Sequence, residues 1–263
     1  MRIVVHAGFH KTGTTSIQHM MRRNGRKLAR HFRCCTRRDL PALCEAARAY
    51  SLKHDPAELG LFTYELAQFL ETLDPGDPRP LVISSEDLSG HMPGRFGLTG
   101  YDAAPRLMAT LEQVAGDCLP DPRITFFFTT RTPGPWLRST YAQHLRAIRF
   151  TEDRDSYLSR MQPHADLDRA TARIAAAVAS PVKTARLEEC AADPLGPFGA
   201  LLDVLRAPEK LRGRLTALPP ANPSFPDHVL DRFLALNRSD LSRADLTAAK
   251  KRLMQEHRAQ AGD

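Results

Sequence analysis

Two glycines, a lysine and four hydroxyl side chains share one short stretch, Gly8-Phe9-His10-Lys11-Thr12-Gly13-Thr14-Thr15-Ser16. A β-branched run, Ile3-Val4-Val5, leads into it and a pattern of helical period follows. Strand, glycine-bearing loop and helix are how a chain cradles phosphate or sulfate. Backbone N–H groups of the loop and the positive end of the helix both face the anion. The nucleotide-loop order G-x-x-x-x-G-K-[ST], laid over Gly8 to Thr15, matches both glycines and Thr15 but puts Thr14 where the lysine belongs. The lysine stands inside the loop, at Lys11. The stretch reads as a phosphate loop that was not built for Mg-ATP.

A second anion grip is spelled by Thr129-Thr130-Arg131-Thr132-Pro133, followed by Ser139. It lies at the carboxyl end of the run Ile124-Thr125-Phe126-Phe127-Phe128-Thr129, where open parallel sheets place their ligands. The arginine fork matches phosphate geometry, and a hydroxyl about two helical turns later could close on the same group. Carboxylates follow another short apolar run, Leu81-Val82-Ile83-Ser84, as Glu86 and Asp87, with His91 beyond. A carboxylate serves as a base where burial or neighbours raise its pKa.

The loop resembles the 5′-phosphosulfate loop of sulfotransferases that use 3′-phosphoadenosine 5′-phosphosulfate (PAPS). The bacterial branch reads G-F-x-K-T-G-T-T-S-[IL]-Q, and Gly8 to Gln18 fits it at nearly every position. The resemblance implies an in-line transfer of sulfonate from PAPS to a hydroxyl or amine of a small-molecule or saccharide acceptor, leaving adenosine 3′,5′-bisphosphate. His10, Lys11, Thr12, Gly13, Thr14, Thr15 and Ser16 would hold the phosphosulfate; His10 stands where the family often has proline. Arg131 and Ser139 fit its 3′-phosphate motif, strand–R-x-P–helix–S-x-Y.

Such a transfer needs a base, stabilisation of charge on the sulfonate, and help for the departing phosphate. Lys11 suits the last two. The strand ending Ser84-Ser85-Glu86 resembles the one that supplies the family's base; His91 is the main competitor and Asp87 a substitute. The transferred group carries a single negative charge, so no metal is required. The late R-K-G element of cytosolic members is absent; either Arg212-Gly213-Arg214 stands in or this branch dispenses with it. Asn222-Pro223-Ser224 resembles a segment near the cofactor, and Trp136 is placed either to face the adenine or to pack.

The elements that must position these residues follow from periodicity and breakers. Besides the first strand, 81–84, 124–129 and 182–187 read as strands. Residues 41–50, 57–73, 103–116, 134–149, 166–179, 197–206, 226–237 and 243–258 read as helices, and Pro219-Pro220-Ala221-Asn222-Pro223 as a rigid linker. The alternation predicts an α/β, P-loop-type three-layer fold: a central parallel sheet flanked by helices. A single domain over 1–263 is expected, with a helical insertion at about 38–75 and C-terminal helices at about 226–258. Arg22, Arg26 and Arg30 would share one face of the first helix, opposite Ile17, Met21 and Leu28.

At 42% hydrophobic, the 263 residues can bury a sizeable core, yet no apolar run could span a bilayer. The start of the chain lacks a signal pattern, and the five cysteines have no zinc spacing, so a soluble bacterial protein with reduced thiols in the cytoplasm is expected. The net charge of +7 calls for an anionic partner. No aromatics interleave the early arginines, which argues against nucleic acid. The alternatives are a P-loop kinase using Mg-ATP, for which Asp87 would serve the metal, and a non-catalytic protein binding anions or nucleic acid through a degenerate loop.

Overall fold

The structure, a computed structural model, describes residues 1–218 and 225–261. The segment Asn222-Pro223-Ser224 and the whole of the expected linker lie outside the described residues. Five strands form one all-parallel sheet in the order β2-β3-β1-β4-β5. They are β1 (Arg2–His6), β2 (Arg33–Thr36), β3 (Leu81–Ser84), β4 (Arg123–Thr130) and β5 (Val182–Arg186). With helices flanking the sheet, this is the expected three-layer α/β fold.

β1 is central because its residues are apolar on both sides. Val4 joins a core of Val82, Phe127, Ile17, Met20, Phe198 and Leu201, under α1 (Thr14–Arg23) and α9 (Pro197–Val204). Ile3 and Val5 alternate to the other face and are equally buried. α8 (Leu167–Ala175) packs on β4 and β5 and is joined in succession by α5 (Ala104–Cys118), α4 (Pro56–Glu71) and α3 (Pro41–Lys53).

The chain divides into two compact units, Met1–Thr132 with Asp166–Ala221, and Pro133–Ala165 with Asn222–Asp263. The sheet and the helices above belong to the first. The second holds α6 (Pro133–Ala147), α7 (Arg154–Met161), α11 (Asp227–Arg238) and α12 (Arg243–Ala261). In it the buried Lys250 donates to Leu145 O at 2.6 Å and Ile148 O at 2.7 Å. An ammonium thus satisfies the last carbonyls of α6, where a cation also suits the helix dipole.

Two features differ from expectation. The edge strand β2, Arg33-Cys34-Cys35-Thr36, carries little apolar signal; backbone pairing with β3 makes it a strand. The expected arginine-bearing helix is broken at Asn24 and resumes as the short α2 (Gly25–Leu28). Asn24 is buried, its Nδ2 donating to Met20 O and Thr216 O, both at 3.1 Å, while its Oδ1 accepts from Thr216 N at 2.8 Å. Arg22, Arg26 and Arg30 remain exposed, but on different elements.

The five cysteines are free thiols, and burial raises the pKa of each, Cys34 and Cys44 to about 12. Among the described residues no helix is long and apolar enough to cross a membrane.

Replacing the buried Asn24 by alanine removes its side-chain hydrogen bonds to Met20 O and to the N–H and carbonyl of Thr216. We expect a loss of about 1–3 kcal/mol in urea unfolding; a variant as stable as the parent would show that these bonds do not hold the break.

Candidate functional site

Chain connections leave β1 toward β2 and β4 toward β5, in opposite directions across the sheet. The crevice at the carboxyl ends of β1 and β4 is therefore where a parallel sheet binds its ligand. The loop after β1 fills that place and is shaped by both neighbouring strands. On the β3 side, Ser85 N donates to His6 O at 3.0 Å and Ser89 Oγ to Ala7 O at 2.6 Å. On the β4 side, Thr129 N donates to Gly8 O at 2.8 Å and Phe9 N to Thr129 O at 3.1 Å. Thr12 Oγ1 donates to Phe9 O at 2.6 Å and lies 2.7 Å from Thr129 Oγ1. The Thr12 hydroxyl thus holds the loop's own shape. Phe9 is fully buried, its ring 4.4 Å from that of Tyr101 and 5.1 Å from that of Phe128.

Gly13 begins α1 at φ 99, a conformation side chains rarely adopt. A Cβ there would lie 2.9 Å from Leu187 Cδ1 and 3.0 Å from Pro197 Cγ. The glycine lets the helix start tight against the end of β5 and the start of α9. The first turn of α1 carries no acidic residue and the cap position offers no side-chain acceptor, so the helix's positive end meets no carboxylate of its own turn. Thr14 is buried, Thr15 exposed, Ser16 half-buried, and Lys11 half-buried at φ 65. His10 turns aside: its N–H donates to Tyr101 Oη at 3.1 Å, and its Nε2 lies 3.6 Å from Asp87 Oδ1.

Glu86 stands at this loop, in a 3-10 turn over Glu86–Ser89. Its Oε2 accepts from Gln18 Nε2 at 2.8 Å, and a Cβ placed on Gly8 would be 3.7 Å from its own Cβ. The neighbouring Asp87 faces cations instead. Burial alone would raise its carboxyl, but the hydrogen bond and charge of His10, then Arg37 and Arg48, hold it below the usual range. His91 is buried; its Nδ1 accepts from Arg48 Nε at 3.4 Å, and burial followed by Arg48 and Arg95 lowers its pKa to about 4.

Arg131 reaches the loop, donating from Nη1 to Lys11 O at 3.3 Å, with Nε 3.7 Å from Glu188 Oε1. Glu188 also accepts from Thr132 Oγ1 at 2.9 Å. Ser139 and Trp136 belong to the second unit, both buried on α6. Arg212, at the end of α10 (Glu209–Arg212), is engaged locally by Asp203 at 2.5 Å and Glu209 at 3.6 Å. The structure thus brings together Lys11, the hydroxyls of α1, Glu86 and Arg131, and sets His91 among arginines.

The sequence assigns no role of their own to Gln18, Tyr101 and Thr129. Gln18 closes the loop motif and its place was visible without a role; Tyr101, ninety-one positions from His10, left no local trace. Comparison with protein-family models and with curated proteins finds no match for this chain.

Two measurements probe the site's construction. Gly13→Ala should cost about 1–3 kcal/mol, from forced left-handed backbone and the clash with Leu187. Gly116→Ala, in α5 with no atom within 4 Å of the added methyl, should be neutral or stabilising by up to about 1 kcal/mol. Equal effects in thermal unfolding would refute the packing account.

His6 is fully buried, its Nδ1 2.8 Å from Ser84 Oγ, and burial lowers its pKa to about 3. The unfolded chain, with an ordinary histidine, therefore binds the extra proton between about pH 6.5 and 3, and stability falls as pH falls through that window. His6→Asn should flatten the dependence of unfolding free energy between pH 6 and 4 by up to about 1.4 kcal/mol per pH unit. An unchanged slope would mean that His6 is protonated in the fold.

Proposed function

We propose that this chain is a sulfotransferase that moves a sulfonate group from PAPS to a hydroxyl or amine acceptor. The observation that carries the reading is a loop at the β1–β4 crevice with its lysine inside the turn, an acid-free helix start behind it and a carboxylate alongside. The left-handed Gly13 (φ 99) begins α1 directly after the loop, and the free N–H groups of a helix start suit an oxyanion.

PAPS supplies a sulfonate already joined to a phosphate leaving group. Lys11 and the hydroxyls of Thr14, Thr15 and Ser16, with the N-terminal N–H groups of α1, bind the anion and bear the charge that moves to the leaving oxygen. Arg131 steadies the loop through Lys11 O and offers its guanidinium to phosphate. Glu86 takes the acceptor's proton, and Gln18 orients it. His91 accepts from Arg48 Nε at 3.4 Å, so one of its ring nitrogens is already engaged. A kinase would need Asp87 for a metal, but that carboxylate faces His10, Arg37 and Arg48. Free thiols fit a reducing cytoplasm.

Adenosine 3′,5′-bisphosphate, in chelator and without Mg²⁺, should stabilise the protein by about 2.7 kcal/mol at a hundredfold excess over Kd. ATP should not, and Lys11→Ala should lose the effect. No thermal shift with the bisphosphate sinks the reading. Across a panel of hydroxyl acceptors, Glu86→Gln should lower turnover by about 10²–10⁴ while keeping the bisphosphate shift; undiminished turnover would remove Glu86 as the base.

A further inference from the structure

Beyond the carboxyl end of β3 the first unit gathers more positive charge than it neutralises. Asp87 is met by Arg37 Nε at 3.1 Å, His10 Nε2 at 3.6 Å and Arg48 Nε at 3.9 Å. A third guanidinium, Arg95, is half-buried and close enough to Arg48 and His91 for their charges to interact; burial and then Arg48 push its pKa down. Its Nε is buried, with no hydrogen-bond partner among the described residues. Among the described residues, only Glu45 besides Asp87 forms an ion pair with these three arginines: it lies 3.1 Å from Arg48 Nη1, with a side chain 65% exposed. Arg37 is exposed, but Arg48 and Arg95 are half-buried, and guanidinium groups are not held together half-buried without cost unless an anion joins them.

The cluster is built on a rigid base. Gly90 has φ 89, and a Cβ there would lie 2.4 Å from Ser51 Cβ. Ser51 Oγ accepts from His91 N at 2.9 Å and donates to Arg48 O at 2.7 Å, so the loop carrying His91 and Arg95 is locked to α3, which carries Arg48. A tight turn then closes through Gly94 N to Leu98 O at 2.7 Å and Leu98 N to Arg95 O at 3.0 Å. At its tip stands Phe96, 62% exposed at φ 55, with the Arg95 guanidinium 5.4 Å from the ring and His91 edge-on at 5.2 Å. The ring is held in a left-handed backbone conformation that bulky residues rarely adopt, open to solvent and beside a guanidinium. A ligand with an oxyanion and a flat face would meet the arginines and the ring together.

We infer that Arg37, Arg48, Arg95 and Phe96 form the acceptor subsite, and that it takes a hydroxyl compound carrying an oxyanion beside a ring. Its placement follows from chain neighbours: Asp87 adjoins Glu86, and His10 adjoins Lys11. Naming the ligand an acceptor rests on the sulfotransferase reading; the anion site itself rests on the arginine geometry.

The test titrates the full chain with benzenesulfonate, its neutral counterpart benzenesulfonamide, and inorganic sulfate, with adenosine 3′,5′-bisphosphate saturating the loop. Benzenesulfonate should bind at least about tenfold more tightly than the sulfonamide, and Arg48→Gln and Arg95→Gln should each weaken it by about tenfold or more. Arg95 lies on the loop and Arg48 on α3, so misfolding of one variant, seen by its melting curve, leaves the other to decide. Phe96→Ala should weaken benzenesulfonate and leave inorganic sulfate unchanged. Equal binding of sulfonate and sulfonamide, wild-type affinity in the arginine variants, or no binding at all overturns the inference. If the bisphosphate does not bind while the benzenesulfonate pattern holds, the sulfotransferase reading falls and the anion site stands.

Discussion

The loop after β1 runs through the interior, and its backbone polar groups must find partners there or carry a desolvation cost of a few kcal/mol each. The fold meets this constraint from two sides at once. β3's continuation supplies Ser85 N and Ser89 Oγ to the carbonyls of His6 and Ala7, and β4 supplies Thr129 to Gly8 and Phe9. Because both strands must be in register for these bonds to form, the loop's shape is a property of the sheet. The glycines make the path possible; the neighbouring strands make it stay.

Once the loop is held, the start of α1 is aimed. Leu187 and Pro197 close against Gly13 from the end of β5 and the start of α9, and Arg131 reaches back to Lys11 O. Every central strand thereby contributes at its carboxyl end to one place, the loop and the start of α1. This is the general consequence of a parallel sheet with a strand-order reversal.

Two adjacent carboxylates illustrate how the fold separates roles. Glu86 and Asp87 sit in one 3-10 turn, where successive side chains point about 120° apart. Glu86 turns to the neutral amide of Gln18 at 2.8 Å, beside the loop. Asp87 turns to His10, Arg37 and Arg48 and is held ionised. A carboxylate held among cations organises its surroundings.

The sheet's central strands, the long helices and the loop's glycine and lysine positions were legible in the sequence, because each is written in local terms: β-branched runs, helical period, and residues that only certain backbone shapes accept. Glu86 and Arg131 were legible as residues leaving strand ends. What tertiary structure alone decided is what depends on distant partners. β2 is a strand because β3 offers its edge, and the first helix breaks at Asn24 because Thr216, far along the chain, offers the bonds that repay the break. Tyr101 under the loop, and Arg37, Arg48 and Arg95 gathered near Asp87, come from three separate segments whose local patterns carry no sign of one another. Local propensity is a property of neighbours in sequence; pairing, burial and charge clustering belong to neighbours in space.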